Sequence, residues 1–440
     1  MTMALPEYVL GCLERLEKAG FRAWAVGGCV RDACLGKTPH DFDLCTDALP
    51  EQIQAAFPDR ELVLAGVKHG TVGVVTPEGV VEITTLRTEG DYRDGRHPQW
   101  VKFVPELRED LLRRDFTINA MAWNPREGLQ DPFGGREDLE TGILRAVGDP
   151  EQRFREDALR ILRGMRFAVR FGFSVEEETL SAMLTLAPLT DSLARERVYE
   201  ELSGFLLKAG VEDLQRFAPV LSQIIPELAP TVGFLQYSPH HAYDVFTHTA
   251  YVTGAVPADP ALRWAALLHD IGKVPCFTRD ETGRGHFKGH AQVGARMADT
   301  VLQRLRAPAG VREEAVWLIE HHMSVLQPEE TTLRRWLSRY GRERVERMFC
   351  LQEADMRGKG TSEHEHSSRY PRLRALLEEL DAREGRFTLK SLAVNGSDLM
   401  ELGLRGKQIG DCLNRLLEQV LSGTLPNEKA ALLQAAKTQE

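Results

Sequence analysis

The chain contains no run of about eighteen apolar residues, and a shorter run is too short to cross the hydrocarbon layer of a bilayer as a helix. No membrane association is expected. No basic segment leading into an apolar stretch opens it, so a secretory leader is not expected either. Its seven cysteines, Cys12, Cys29, Cys34, Cys45, Cys276, Cys350 and Cys412, are odd in number and form no C-x-x-C. That pattern indicates neither a disulfide framework nor a zinc knuckle, and it fits a reducing cytoplasm. Positive charge is short as well: 55 Lys and Arg face 65 Asp and Glu, a formal net charge of −10. Indiscriminate, field-driven binding to nucleic acid is thereby disfavoured, and any such site must be a local basic groove on an acidic body. No internal repeat or low-complexity tract is present.

What is present is enough apolar residue, 42% of 440, to bury more than one core. Residues 6 to 148 mix short alternating runs with turn signals. FRAWAV, DFDLC, ELVLAG, TVGVVTP and VVEITTLR read as strands, and PEYVLGCLERLEKAG and PEQIQAAF as helices. From Pro150 to about Pro226 the strand signals give way to amphipathic stretches beginning PEQRFREDALRILRGMRFAVRFGF. Residues 227 to 239, with Pro230, Gly233 and Pro239 and an isolated Tyr237, read as a linker into a histidine-bearing helical region that runs to about residue 380, and a last amphipathic section closes the chain. The fold class is therefore α+β and multidomain: a mixed sheet-and-helix head at 1–149, a helical neck at 150–226, a helical body at 227–380 and a helical tail at 381–440.

Asp41 and Asp43 flank Phe42 at the start of a strand. Residues i and i+2 project from the same face, so the two carboxylates point together while Phe42 and Leu44 turn to the core. Two carboxylates that close repel unless a cation sits between them, and Mg2+ prefers a few carboxylates together with substrate phosphates. Glu82 stands in the otherwise apolar strand VVEITTLR, and a neighbouring strand would bring it beside the pair. The other reading of a D-x-D is a solvated strand end. Just upstream, Gly27 and Gly28 leave backbone N–H groups open to a phosphate, and Arg31 complements its charge.

In the neck, Asp157 and Arg160 lie three residues apart and are expected on one helical face. Aspartate accepts hydrogen bonds and arginine donates them. Cytosine and adenine both present an amino donor beside a ring-nitrogen acceptor, so the pair matches C and A and mismatches U and G. A plain i,i+3 salt bridge is the alternative.

Three motifs now stand in order over roughly residues 20 to 210: AVGGCVRDACLG with HDFDLCTD, LLRRDFTINAMAW, and RFREDALRILRGMRFAVRFGF. Together they resemble the class II CCA-adding enzymes and bacterial poly(A) polymerases of the polymerase β-like nucleotidyltransferase superfamily. The resemblance implies a tRNA nucleotidyltransferase that takes CMP and AMP from CTP and ATP. It implies Mg2+ on Asp41, Asp43 and Glu82, and base selection by Asp157 and Arg160. It also implies nucleotide contacts by Gly27, Gly28, Arg31, Arg113, Arg114, Asp115, Asn119, Arg163 and Arg166; Asn119 fits a buried structural amide equally well. Family members that add the complete CCA carry a flexible loop where this chain has RTEGDYRDGRHPQWVKF, so Asp91, Tyr92, Arg93, Asp94, Gly95 and Arg96 imply full CCA addition. Poly(A) polymerases of this class tend to carry a basic, phenylalanine-containing signature after the D-x-D strand. LVLAGVKHGTVGVV departs from it, which ranks poly(A) polymerase second and an A-adding enzyme third.

Further along, RWAALLHDIGKVP sets His269 and Asp270 at the end of an apolar helix, with His248 one helix upstream and Asp355 downstream. These four resemble the metal-binding pattern of HD phosphohydrolases, with His290, His321 and His322 as additional candidate ligands. The resemblance implies a divalent metal of unspecified identity and either phosphoester hydrolysis or a retained fold that contacts tRNA. A rival of another class is an HD phosphohydrolase whose head senses nucleotide. The tail segment LAVNGSDLMELGLRGKQIG resembles the family's C-terminal section, which reaches along tRNA.

Overall fold

The computed structural model describes residues 3, 5–39, 41–89, 101–360, 369–384 and 388–437; the stretch from Asp91 to Arg96, read above as a loop, lies outside the described residues. The chain divides into two compact units, Met1–Ala229 with Arg304–Ala307, and Pro230–Gln303 with Pro308–Glu440.

The first unit opens with α1 (Glu7–Lys18), whose Val9, Cys12, Leu13 and Leu16 repeat at helical spacing and are buried. There follow β1 (Ala23–Val26), α2 (Gly28–Cys34), β2 (Asp43–Thr46), α3 (Pro50–Ala56), β3 (Leu62–Val63), β4 (Thr71–Thr76) and β5 (Gly79–Thr85). Next come β6 (Arg87–Glu89), β7 (Val101–Phe103), α4 (Leu107–Leu112), β8 (Ala122–Asn124), β9 (Gly128–Gln130), α5 (Gly135–Thr141) and β10 (Ile143–Leu144). Seven strands form one sheet in the order β3-β4-β5-β2-β1-β8-β9. Its central pairing, β2 with β5, is parallel, whereas β1 with β2 and β4 with β5 are antiparallel, so the sheet is mixed as expected. The central register sets Asp43 opposite Glu82 and Leu44 opposite Ile83. Trp24, Val26, Cys45, Leu86, Leu111 and Val147 pack into a core behind it.

The neck begins with α6 (Pro150–Glu156), capped by Asp149 accepting from the Gln152 N–H, and continues with α7 (Leu159–Phe171). Here the structure corrects the expectation of one helix through Glu156, Asp157 and Arg160. Asp157 is extended, at φ −144° and ψ 102°, because its Oδ1 accepts the N–H of Leu159 at 2.9 Å and so offers the backbone a cap in place of a helical bond. A second difference is β11 (Ser174–Val175), a short strand paired in parallel with β10. The unit continues with α8 (Glu177–Thr185), α9 (Arg195–Leu206), α10 (Val211–Arg216) and α11 (Ala218–Ile224).

The second unit is helical: α12 (Val245–Ala255), α13 (Pro260–Leu268), α14 (His290–Arg304), α15 (Ala309–His321), α16 (Glu330–Tyr340), α17 (Arg342–Gly358) and α18 (Arg369–Glu384). It closes with α19 (Gly396–Glu401), α20 (Lys407–Leu421) and α21 (Lys429–Lys437), which share a small core of Leu399, Cys412, Leu416 and Leu432. Among the described residues no helix is long and apolar enough to cross a membrane. All seven cysteines are free thiols.

Candidate active site and a buried histidine–aspartate cluster

The β1–α2 turn is built on Gly27, whose φ of +77° disfavours any residue with a side chain. A Cβ there would also stand 3.0 Å from Arg114 Nη1, so the glycine lets a guanidinium approach the backbone. One turn into α2, Arg31 is buried, pairs with Asp32 at 2.8 Å, and donates to Asn119 Oδ1 at 2.6 Å. Asn119 Nδ2 donates in turn to Asp115 Oδ1 at 3.1 Å, and Asp115 Oδ2 accepts from Arg163 Nε and Nη2 at 2.8 and 2.6 Å. A continuous hydrogen-bonded chain thus ties the glycine turn to neck helix α7. Burial works against the Asp115 charge, but Arg163, Asn119 and the Phe116 N–H overcome it and hold the carboxyl at about 2.

Arg113 and Arg114 follow α4 and both pair with Asp110, at 2.9 and 3.2 Å. Burial alone would raise the wholly buried Asp110 carboxyl, and the two arginines instead hold it below its ordinary range. Across the sheet the balance runs the other way. The protein around the Asp43 carboxylate withdraws bulk water from it although the side chain stays open on one side, and this desolvation, then Glu82, raises its pKa against the pull of Arg114, with Asp41 adding to the rise. Asp41 and Glu82 are exposed.

Between head and neck lies a cavity of about 350 Å³. Gly27, Gly28, Arg31, Asp43, Arg113, Arg114, Asp115 and Asn119 line its head side; Asp157, Arg160, Arg163, Phe167 and Arg197 line its neck side. Asp157 is raised by burial, against Arg160, the Leu159 N–H, Arg197 and Arg163. Arg160 donates to the carbonyls of Arg153 and Arg113 at 3.1 and 2.8 Å and to Glu156 at 3.1 Å. Of the residues singled out from the sequence, Asp41, Glu82 and Arg166 do not line the cavity, and Arg166 is turned to Glu201 at 2.5 Å. Two lining residues were missed. Phe167 sits within the recognised motif, its ring flanked by Arg163 and Arg166 at 5.2 and 4.8 Å. Arg197 comes from the first turn of α9, and nothing in its local sequence marks it.

In the second unit, His248 on α12, His269 and Asp270 after α13, and Asp355 on α17 bring their ligand atoms within 4.8 Å of one another. His248 Nε2 stands 3.0 Å from Asp355 Oδ1 and 3.3 Å from Asp270 Oδ2; His269 Nε2 is 3.1 Å from Asp270 Oδ2 and 3.3 Å from His248 Nε2. His248 and His269 are at 0% exposure, while Asp355 keeps an edge on a cavity of about 370 Å³. Burial opposes charge on each imidazole, yet the two carboxylates overcome it, raising His248 and pushing His269 up to about 10. Two buried carboxylates demand positive charge between them, and a divalent ion supplies it with the same donors. Asp270 fits a metal role on its own account: buried, neither of its oxygens accepts a well-directed hydrogen bond, although Lys273 Nζ comes within 2.7 Å of Oδ2. His290 and His322 join Asp270 in an adjoining group; His321 does not, its Nδ1 donating to Trp317 O and its ring stacking on the Trp317 indole at 4.4 Å.

Comparison with known proteins identifies the parts. The Poly A polymerase head domain family matches residues 23–145, the "Probable RNA and SrmB- binding site of polymerase A" family matches 172–230, and the HD domain family matches 240–356. The CCA-adding enzyme of Geobacillus kaustophilus is 34% identical over 99% of this chain and 98% of its own length. That of Ligilactobacillus salivarius is 32% identical over 97% and 95%. The crystal structure of the Bacillus stearothermophilus CCA-adding enzyme in complex with CTP superimposes with a TM-score of 0.68 at 29% identity, covering 97% of this chain and 95% of that one. A glycine turn, a carboxylate-bearing strand and an Asp-Arg neck around one cleft, with full-length likeness of this order, show that the chain belongs to the CCA-adding enzymes, which are nucleotidyltransferases.

Proposed function

We propose that this chain adds CMP, CMP and AMP, in that order, to the 3′ end of tRNA in the cytoplasm, using CTP and ATP. The head spans residues 1–149, the neck 150–226, the HD body 227–380 and the tail 381–440. The observation that supports the reading most strongly is the single cleft that holds the glycine turn and Asp43 on one wall and Asp157 on the other. The triphosphate lies along Gly27, Gly28 and Arg31, with Arg113 and Arg114 beside it, and the base faces Asp157 in the neck. Asp157 accepts the amino group common to cytosine and adenine, and Arg160, braced on the Arg153 and Arg113 carbonyls, supplies the donor for the ring nitrogen. Arg163 and Arg166 act behind the pair, Arg163 by holding Asp115.

The 3′-oxygen of the tRNA attacks the α-phosphorus, one P–O bond forms, the α–β bridge breaks, and pyrophosphate leaves as the hydroxyl proton passes to solvent. The donor set suits a hard divalent cation: Asp43 and Glu82 are register partners on adjacent strands, desolvation and then Glu82 raise Asp43, and Asp41 adds a third carboxylate. These three carboxylates would hold Mg2+, whose charge would lower the pKa of the 3′-hydroxyl and offset the charge on the departing pyrophosphate.

In the test, a tRNA lacking CCA is incubated with Mg2+ and CTP, ATP or both, and products are resolved at single-nucleotide length. CTP alone extends by CC and the mixture by CCA, and Asp43→Ala lowers the rate by on the order of 10²-fold or more. An open-ended A ladder makes the protein a poly(A) polymerase, and addition of A alone makes it an A-adding enzyme. In the second unit, the buried group of His248, His269, Asp270 and Asp355 supports a divalent metal site and phosphoester hydrolysis there.

A further inference from the structure

The carboxylates of the head stand in a row that runs on past them. β2, β5, β4 and β3 lie side by side, and their registers set Asp43 opposite Glu82, Glu82 opposite Gly73, and Gly73 opposite Val63. Paired residues on neighbouring strands project from the same face, so these four share one side of the sheet. Val80, two residues before Glu82, shares it as well. The other side is the covered one: Val72, Val74, Val81 and Ile83 are buried there, where α3 packs on β4 and β5.

On the carboxylate side Val63 and Val80 are 44% and 52% exposed. Single exposed valines need no explanation. These two flank one glycine: a Cβ on Gly73 would stand 2.9 Å from Val80 Cγ1 and 3.1 Å from Val63 Cβ. The missing side chain joins the valines into one apolar surface directly beside Glu82. Adjacent strands are about 4.8 Å apart, so this surface lies about 5 to 10 Å from the Glu82 backbone along the row. A sugar whose hydroxyl is held at the carboxylates carries its base over that distance. Glu61 and Glu78, each two residues before one of the valines and exposed, repel phosphate, so an RNA strand meets the patch with a base rather than with its backbone.

We propose that Val63, Gly73 and Val80 form the shelf on which the base of the tRNA's 3′-terminal nucleotide lies while its 3′-hydroxyl is held at Asp43 and Glu82; the inference rests on the nucleotidyl-transfer reading above. Repeated addition gives the shelf its chemistry. The terminal nucleotide changes at every step, from whatever base precedes the new segment, to the first C, to the second. The incoming base is read by hydrogen bonds at Asp157 and Arg160, and the acceptor base must not be read at all. Two valines and a glycine present no side-chain donor or acceptor, and every base has a face that packs on an apolar surface. The shelf therefore holds the three successive ends alike, and selection stays with the neck. Val63 and Val80 are positioning residues for the acceptor, distinct from the groups that bind nucleoside triphosphate.

The test is steady-state extension of tRNA lacking CCA by the full chain and by Val63→Ser/Val80→Ser, with KM for tRNA, CTP and ATP measured separately. If the wild type extends nothing, the underlying reading falls and the shelf falls with it. The double variant is expected to raise KM for tRNA on the order of tenfold, as follows from uncovering about 50 Å² of apolar surface. KM for CTP and for ATP is expected to stay unchanged, the rise to be the same for tRNAs ending in A, C, G or U, and Val63→Ile/Val80→Ile to restore the wild-type value. An unchanged KM for tRNA overturns the inference and leaves the reading standing, and so does a rise shared by CTP and ATP. An unchanged KM for tRNA with an altered mass in light scattering gives the face to a second copy of the chain and also overturns it. Should the serine variant not fold, wild-type protein irradiated with tRNA whose 3′-terminal base is 4-thiouracil decides the question. An adduct on the peptide bearing Val63 or Val80 is expected, and adducts confined to other peptides overturn the inference.

Discussion

Asp115 ties the two walls of the cleft together, because it accepts from the head through Asn119 and from the neck through Arg163 at once. Its folded pKa of about 2 lies below the unfolded value, near 4. A depressed carboxyl stabilises the fold above its unfolded pKa and loses that contribution as pH falls through its folded one. The loss therefore falls between about pH 4 and pH 2 and amounts to on the order of 2 kcal/mol. Asp115→Asn keeps the shape but leaves the Arg163 guanidinium without its counter-charge, and since a third of that side chain still meets water the expected cost is about 2–3 kcal/mol. Denaturant unfolding from pH 2 to 7 checks both statements: the variant is less stable at neutral pH and shows a flatter acid limb, and an unchanged limb refutes the assignment. Residues of this kind were legible in the sequence as members of RRDFTINAMAW, yet their pairings were not. Nothing in a string of letters says that Arg163 grips Asp115 while Arg166, three residues further on, grips Glu201. Arg197 carried no signal at all, since it reaches the cleft from a helix whose own pattern is that of any half-buried helix.

At the level of elements, alternation was informative where strands are long. In β5, exposed Glu82 alternates with buried Val81 and Ile83, which is the pattern that marked that strand, whereas in β2 exposed Asp43 is followed by three buried residues. β8 and β9 have only three residues each, too few to establish a period, and were not foreseen. The break between α6 and α7 was missed because helical spacing continues across it; only the local hydrogen bond of Asp157 decides against the helix. Element packing also shows why the glycine of HDIGK matters. A Cβ on Gly272 would collide with the carbonyl oxygen of His290 and stand 2.6 Å from the Gly294 nitrogen, both backbone atoms at the start of α14. Gly272→Ala must therefore push α14 away from Asp270, at a cost of about 1–3 kcal/mol. A lowered melting temperature, read by differential scanning calorimetry, is expected. Unaltered stability means that the helix is not held in place by this contact.

For the whole molecule, the acidic net charge and the basic cleft are compatible because the arginines are spent locally: Arg31, Arg113, Arg114, Arg160 and Arg163 all line one cavity of a chain whose formal charge is −10. The two chemistries lie in different compact units. A ligand that binds only folded protein stabilises the part it binds, by about 2.7 kcal/mol at a hundred times its Kd. A transition ion seated among buried imidazoles and carboxylates should therefore protect α12 to α17, whereas CTP with Mg2+ should protect β1 to β5 and α7. Amide hydrogen exchange followed by mass spectrometry reads both regions in one experiment. With Mn2+ at concentrations that just saturate the buried cluster, exchange is expected to slow in the helices carrying His248, His269 and Asp355 while the sheet carrying Asp43 and Glu82 is unaffected. That asymmetry follows from ligand chemistry, since three carboxylates without substrate phosphates hold a divalent ion far more weakly than imidazoles sealed from water. Equal protection of both regions by the metal alone would mean that the two units unfold as one, and that occupancy of the buried cluster bears directly on the stability of the nucleotide-adding cleft.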